Sequence, residues 1–201
     1  MRKLGSDFDK LISEISEYFT QSGAKQMAPY MSSSIPKIEN LIAVNHYGKR
    51  DLKKIKRIVI HSTESGSAKG TAQYFQNPKA TGSTQFVVDD NSIFRTLPDN
   101  VEPWAAPGAN SDGLHIELVG YAKWSREEWL KHQKTIKNAA MVISNWCSMY
   151  NITKQFVNAQ GLLTGKSGIT SHAEVSKAFK KSSHTDPGTG FPYDLLFSYL
   201  F

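Results

Sequence analysis

Short apolar segments mixed with amphipathic helical segments constrain the fold of this chain more than any other feature. Residues 57–63, RIVIHST, form an apolar run that ends in polar residues, as a buried strand does. Residues 83–97, STQFVVDDNSIFRTL, predict a hairpin with its turn at Asp90 and Asn91. In residues 113–120, GLHIELVG, apolar and polar side chains alternate as they do along a strand with one buried face.

A long amphipathic helix follows these strands. Ser125 and Glu128 have the spacing of a capping box that begins a helix. The apolar face of the helix is formed by Trp129, Ile136, Ala139, Ile143, Trp146 and Tyr150. Strands mixed with helices, without an internal repeat, predict an α/β fold.

The first 35 residues differ in composition from the rest. Residues 7–19 predict a short amphipathic helix, and the following segment TQSGAKQMAPYMSSSIP is rich in Ser, Pro and small residues, as linkers are. We therefore expect residues 1–35 to form an N-terminal helical extension and linker, and residues 36–201 to form one domain. The helix has an apolar stripe to bury, so it would dock on that domain or bind a partner.

Charge and composition restrict the classes of partner. A net charge of +6 favours an anionic partner such as nucleic acid, a lipid surface or the bacterial cell wall, although a basic protein without a polyanionic partner is also consistent with it. The single cysteine, Cys147, excludes an internal disulfide, and no apolar run approaches the roughly 20 residues that span a bilayer. The start of the chain has no apolar core of a signal peptide, so we expect synthesis in a cytoplasm without Sec-type export.

Three residues at the ends of predicted elements form a candidate metal site. His61 ends the strand RIVIHST, His172 ends a short β-like segment in GITSHAEVS, and Asp186 precedes the Pro-Gly turn in HTDPG. Taken singly, each has an ordinary structural interpretation, as a hydrogen-bonded histidine or as an aspartate that begins a turn. Together, two imidazoles and one carboxylate are a ligand set for catalytic zinc with water in the fourth position. The spacing does not prove this site, because the three residues are far apart in the sequence.

Four motifs occur in this order along the chain: RIVIHST, GLHIELVGYA, GITSHAEVSKAF and HTDPGTGFP. Together they resemble the zinc-dependent N-acetylmuramoyl-L-alanine amidases, the type-2 amidase family related to peptidoglycan-recognition proteins. The similarity is greatest to the amidase modules of phage endolysins, and it covers roughly residues 41–200. It implies a central mixed β-sheet flanked by helices. It also implies cleavage of the amide bond between N-acetylmuramic acid and L-alanine of peptidoglycan by zinc-activated water.

The resemblance also implies a role for each matched residue. His61, His172 and Asp186 match the zinc ligands of the family, so one Zn²⁺ ion is expected. Glu117, in the IE of GLHIELVGYA, matches the general base or water-orienting residue. His184 matches the residue that stabilises the transition state.

Two further residues are candidates for contact with substrate. Trp104, in EPWAAPGAN, offers an aromatic face to carbohydrate or peptide, and ordinary core packing is equally consistent with its context. Many family members have a Tyr-His or similar pair where this chain has Thr84 and Gln85, so the catalytic role of that tyrosine is absent or supplied elsewhere; Thr84 is the candidate at this position. His115 lies on the same strand face as Glu117, and we expect it to line a pocket or face solvent.

Other functions remain open at this point. A peptidoglycan-recognition protein of the same fold would bind without cutting, but such relatives typically lack the third ligand, here Asp186. A virion-associated structural protein would use the N-terminal helix for docking or self-association. A nucleic-acid binder is favoured by the charge alone, without a matching motif. We therefore expect bacterial peptidoglycan as the partner, no nucleic acid and no membrane insertion, with access to the wall by holin-type release or as a virion component.

Overall fold

Residues 36–200 are described in the computed structural model of this protein, and the helix and linker predicted within residues 1–35 lie outside this range. Within it the strands are β1 Ile38–Asn40, β2 Gly48–Lys49, β3 Arg57–Ser62, β4 Phe86–Val88, β5 Ile93–Arg95, β6 Val101–Glu102, β7 Gly113–Leu118 and β8 Gly168–Ser171. The helices are α1 Ala68–Phe75, α2 Arg126–Lys131, α3 Gln133–Tyr150, α4 Ala159–Leu163, α5 His172–Phe179 and α6 Tyr193–Ser198, with a 3-10 turn at Leu52–Lys54.

The largest sheet of the described residues is mixed and has the strand order β1-β5-β4-β7-β3-β8. β3 is parallel to both β7 and β8, and β4 is parallel to β7. The hairpin of β4 and β5 is antiparallel, and β1 runs parallel to β5 at one edge. The mixed sheet and the hairpin predicted from the sequence are confirmed.

The carboxyl ends of β3, β7 and β8 lie side by side because these strands are parallel neighbours. β3 is buried along its whole length, as a continuous apolar run in a central parallel strand predicts. The register pairs His61 with Glu117, and it pairs Ile60 with Ser171, the residue before His172. Polar residues from three strands therefore meet at one end of the sheet, the place where open α/β sheets bind ligands.

Helices cover both faces of this sheet. Side chains alternate along β3, so Ile58 and Ile60 belong to the core cluster that includes α3, while Val59 belongs to the cluster that includes α4 and α5. α1 packs through Ala72 and Phe75 against the β4–β5 hairpin. The predicted arrangement of a sheet between helices is confirmed. Among residues 36–200, no helix has the length and apolar composition needed to cross a membrane.

The long helix predicted from the Ser125 capping box onward is two helices. α2 begins at that capping box, but the backbone leaves helical geometry at His132, with φ −111° and ψ 39°. α3 then begins beside the β4–β5 turn, where Asp90 accepts hydrogen bonds from the Thr135 amide at 2.8 Å and the Thr135 hydroxyl at 2.9 Å. This carboxylate, from a distant part of the chain, accepts from one amide group at the start of α3, and the local helical pattern does not reveal that contact.

Candidate metal centre and active site

Two histidines and one aspartate converge at the carboxyl end of the parallel strands. His61 lies in β3, His172 begins α5 directly after β8, and Asp186 lies between α5 and α6. The amide of Ala173 donates to the backbone carbonyl of Asp186 at 3.0 Å and ties this loop to the start of α5. One ligand atom from each of the three candidate residues lies within 4.8 Å of the others. The structure therefore brings together residues that are far apart in the sequence.

The carboxylate of Asp186 lies between the two imidazoles. Its Oδ2 is 3.1 Å from Nδ1 of His61, and its Oδ1 is 3.2 Å from Nδ1 of His172. Burial alone would raise the pKa of Asp186, but hydrogen bonds to His172 and His61 outweigh burial and hold that pKa well below its usual range. Burial lowers the pKa of His172. An ionised carboxylate and a neutral imidazole are the forms in which these side chains bind metal.

The donor atoms fit a zinc ion. Two imidazole nitrogens and one carboxylate oxygen are ligands found in catalytic zinc sites, and ligand atoms about 2.0–2.1 Å from a tetrahedral ion lie about 3.3 Å apart. Each histidine Nδ1 lies near that distance from a different oxygen of Asp186, at 3.1 and 3.2 Å, and one ligand atom from each of the three residues lies within 4.8 Å of the others. All three side chains are buried. Within residues 36–200, this is the one group of three or more His, Cys, Asp or Glu side chains with metal-binding spacing.

His184 lies at the rim of this cluster. Its ring stacks on that of His172, with centroids 4.1 Å apart and planes 10° apart. Its Nδ1 is 3.4 Å from Oδ1 of Asp186, and its side chain is 63% exposed. The imidazole is therefore next to the candidate ligands and accessible to a substrate.

Glu117 lies on β7 beside His61. Its side chain is half-buried, and its Oε2 atom has no hydrogen-bond partner among residues 36–200. Burial raises the pKa of Glu117 well above its usual value, and the charges of Asp186 and Glu64 add to that effect. A carboxylate oxygen without a partner and with a raised proton affinity is suited to accept a proton and release it again.

Glu64 is an acidic neighbour that sequence reasoning missed. Its Oε1 accepts hydrogen bonds from the Ser62 hydroxyl at 2.8 Å and from the Ala122 amide at 2.7 Å. Its backbone has φ 50°, which is uncommon outside glycine. It looks like an ordinary loop carboxylate in the sequence, and no motif indicates its place beside Glu117.

His115 contradicts the expectation that it lines a pocket or faces solvent. It is completely buried on β7, behind the candidate ligands. Its Nδ1 is 3.1 Å from Nε2 of His61, and its Nε2 is 3.2 Å from the carbonyl oxygen of Ala109. Burial is the largest cause that lowers the pKa of His115 well below its usual value, and the charges of His61 and Arg50 add to it. The alternation along β7 places this residue on the same face as Glu117, but it does not show what covers the face.

A cavity of about 320 Å³ opens beside Glu117. The loop after β3 and the helix α1 supply the rest of its lining: Thr63, Ser65, Gly66, Ser67, Gly70, Thr71, Tyr74 and Phe75. This cavity offers room for part of a substrate next to the candidate acid–base residue.

The two candidates for substrate contact lie in different surroundings. Thr84 is buried, and its hydroxyl donates to the carbonyl of Phe86 at 3.1 Å, so it contributes to the hairpin packing rather than to an accessible surface. Trp104 is half-buried, and its ring centroid is 5.7 Å from that of Tyr47. Part of the Trp104 ring thus remains available for contact.

Comparison with known sequences gives a consistent family assignment. Residues 51–189 match the family model described as N-acetylmuramoyl-L-alanine amidase. A probable N-acetylmuramoyl-L-alanine amidase of Bacillus licheniformis is 26% identical over 136 residues, which are 58% of this chain and 37% of that protein. The matched region spans 37% of the length of each of the curated relatives found.

Comparison with solved structures confirms the fold. The hydrolase AmiA of Staphylococcus aureus, in complex with its ligand, has a TM-score of 0.67 at 19% identity, covering 93% of this chain and 88% of that chain. A mutant endolysin from Bacillus subtilis has a TM-score of 0.57 at 22% identity, covering 83% of this chain and 99% of that chain. These structures share the arrangement of sheet and helices with this protein.

Proposed function

Because this chain belongs to the N-acetylmuramoyl-L-alanine amidase family, we propose that it is a zinc-dependent peptidoglycan hydrolase. Its substrate would be the amide bond between the lactyl group of N-acetylmuramic acid and the L-alanine of the stem peptide. The observation that carries the proposal is the buried cluster of His61, His172 and Asp186 with Glu117 on the adjacent strand.

The metal would be held by Nδ1 of His61, Nδ1 of His172 and the carboxylate of Asp186. All three side chains are buried, and their positions are set by separate elements of the fold. When bound, zinc supplies Lewis acidity that polarises a carbonyl and makes water a better nucleophile near neutral pH.

Glu117 would handle the proton of the reaction. Its unpartnered Oε2 accepts a proton from the attacking water, and the resulting carboxylic acid then donates that proton to the departing nitrogen of L-alanine. The raised pKa of this carboxyl group makes the carboxylate a stronger base toward water than an exposed glutamate would be.

His184 would stabilise the negative charge that develops on the carbonyl oxygen. It is exposed and stacked on His172, so it can donate a hydrogen bond to an oxygen held at the rim of the cluster. Loss of one such donor typically lowers the rate by about 10²–10³.

The remaining surface would position the wall polymer. The cavity beside Glu117 can take part of the stem peptide or the sugar, and the exposed part of Trp104 offers an aromatic platform. The net charge of +6 would attract the anionic cell wall, and we propose no nucleic-acid partner.

An end-group assay on purified peptidoglycan tests the reaction. The zinc-loaded protein is compared with Asp186→Ala and with Asp194→Ala, a control at an exposed carboxylate that pairs with Arg126 on the surface. We expect new alanine amino termini without new reducing sugar ends, and we expect this activity to be lost in Asp186→Ala and after chelation but kept in Asp194→Ala.

The same assay separates the amidase from a recognition protein. Wall binding by the zinc-loaded protein without release of any new end would contradict hydrolysis and would favour recognition of peptidoglycan. Release of reducing ends instead of alanine termini would contradict the bond assignment.

We further propose a phage endolysin role, with access to the wall by holin-type release or from the virion. Deletion of residues 1–34 distinguishes the two routes. Full hydrolysis of purified wall by the truncated protein, together with loss of its attachment to particles, would indicate that the N-terminal segment is a virion-docking element. Loss of hydrolysis would contradict a catalytic domain that starts near residue 36.

A further inference from the structure

We infer that His115 is a positioning residue that determines which ring nitrogen of His61 is available to the metal. The inference deepens the proposed function and rests on the proposed metal site. It starts from the hydrogen bonds that connect Ala109, His115 and His61 in the buried interior.

The donor and acceptor in each of these hydrogen bonds follow from the Ala109 carbonyl, because that group has only one possible role. The carbonyl oxygen of Ala109 can only accept, so Nε2 of His115 must carry the hydrogen that it contacts at 3.2 Å. Complete burial disfavours a positive charge on the His115 ring, so its Nδ1 has no hydrogen and is an acceptor.

That acceptor orients His61. Nε2 of His61 lies 3.1 Å from Nδ1 of His115 and must donate to it. The other nitrogen, Nδ1 of His61, faces the Asp186 carboxylate at 3.1 Å, where the metal would bind. Once a metal takes the place of the hydrogen between Nδ1 and Asp186, a His61 ring that donates from Nε2 presents a lone pair at Nδ1, the form that a metal requires.

The backbone of His115 is held at both of its polar groups by Gln85. The Gln85 side-chain oxygen accepts from the His115 amide at 2.8 Å, and the Gln85 amide donates to the His115 carbonyl at 3.0 Å. Gln85 is itself completely buried. The imidazole thus projects from a strand position that has little freedom to shift.

The loop that carries Ala109 is also fixed. Its next residue, Asn110, accepts from the Ala106 amide at 2.7 Å, and the Arg50 guanidinium donates to the Asn110 carbonyl at 2.8 Å. A Cβ atom at Gly113 would lie 2.4 Å from the Ala109 oxygen and 2.9 Å from Nε2 of His115. Only glycine at that position leaves room for the contact between these two groups.

A matched pair of substitutions tests whether the acceptor is what matters. In His115→Asn, the amide oxygen can take the place of Nδ1 and accept from His61, whereas His115→Leu has nearly the same shape but no acceptor. Both variants lose the hydrogen bond to Ala109, so a general loss of packing affects them alike. The measurement is Zn²⁺ affinity of the full chain by competition with a chromogenic chelator.

We expect His115→Leu to bind zinc about 10- to 100-fold more weakly than the native protein and His115→Asn to recover most of that loss. Equal affinities in the two variants would overturn the inference. If the native protein binds zinc and releases alanine termini but the two variants have equal zinc affinities, the positioning role of His115 is contradicted while the proposed amidase activity is supported. If the native protein binds no zinc, the metal centre fails and the inference fails with it.

A second measurement does not depend on the folding of any variant. In the zinc-loaded native protein, ¹⁵N spectra should show the hydrogen of the His61–His115 bond on Nε2 of His61, with His115 protonated at Nε2 alone. A hydrogen on Nδ1 of His115 would overturn the inference, because His115 would then be a donor to His61.

Discussion

Glu117→Gln is the substitution that most directly tests whether Glu117 transfers the proton in the proposed reaction. The two side chains have the same shape, so the change creates no cavity and leaves the strand register intact. The amide cannot accept a proton and return it, so the variant removes one chemical ability from a position next to His61.

The expected loss of rate follows from the role of the residue. A positioned general acid–base typically contributes about 10²–10⁴ to the rate, which corresponds to about 2.7–5.5 kcal/mol of transition-state stabilisation. The free energy of unfolding, in contrast to the rate, should not fall. Oε2 has no hydrogen-bond partner among the described residues, and burial and the charges of Asp186 and Glu64 disfavour ionisation of Glu117. Removal of this buried charge should leave the free energy of unfolding unchanged or raise it by about 1–3 kcal/mol.

The assay combines three measurements on one preparation. Release of alanine termini gives kcat/KM, metal analysis gives the zinc content, and urea unfolding of the chelated protein gives stability. Glu127→Gln, at a fully exposed position on α2, is the matched control and should leave kcat/KM and zinc content unchanged. A Glu117→Gln protein with full zinc content and activity within tenfold of the native protein would refute the assignment of Glu117. A clear loss of stability would refute the argument that this carboxylate is a cost to the fold.

The remaining predictions concern the frame of the site and its access to substrate. Gly188→Ala should lower the free energy of unfolding by more than about 2 kcal/mol in urea titrations, because φ is +90° and the new Cβ would lie 1.9 Å from a backbone oxygen; Gly66→Ala, which meets nothing within 4 Å, should be nearly neutral. Burial would raise the pKa of Asp90, but hydrogen bonds from His132 and Thr135 outweigh burial and lower it, so its stabilising effect is present above about pH 3.9 and is lost as pH falls through the lower folded-state pKa. Asp90→Ala should therefore cost about 1 kcal/mol at pH 6, with a gap to the native protein that closes on acidification; a gap independent of pH would contradict this. Binding to purified wall should weaken as salt rises from about 0.1 to 1 M, where the Debye length falls from about 10 to 3 Å, whereas salt-independent binding would point to uncharged contacts.

Local patterns predicted the elements that local forces determine. The apolar run of β3 is confirmed, because the burial of this strand follows from its own sequence. The alternation along β7 predicted a strand correctly, but both faces of β7 are buried except at Glu117, which is half-buried. The single long helix was wrong because the backbone leaves helical geometry at His132, and Asp90, from another part of the chain, accepts from the amide of Thr135 where α3 begins. Helical periodicity depends only on residues that are close in the sequence, so it does not predict the contact with Asp90.

The candidate site divides in the same way. The residue types of His61, His172 and Asp186, with the histidines at the ends of strand-like segments and the aspartate before a Pro-Gly turn, were sufficient to suggest a metal site from the sequence. The sequence did not predict that their ligand atoms lie within 4.8 Å of one another. That proximity depends on the parallel pairing of β3 with β8 and on the backbone contact that joins the Asp186 loop to α5.

His115 shows most clearly what only the tertiary structure decided. The sequence placed this residue on the functional face of β7, since the side-chain period of a strand is a local property. Its burial and its hydrogen bonds depend on the Ala109 carbonyl and on His61, which come from two other segments of the chain. The sequence by itself determined the strands, their faces and the chemical types at their ends; the packing of separate segments decided which of those groups are buried, paired and able to bind a metal.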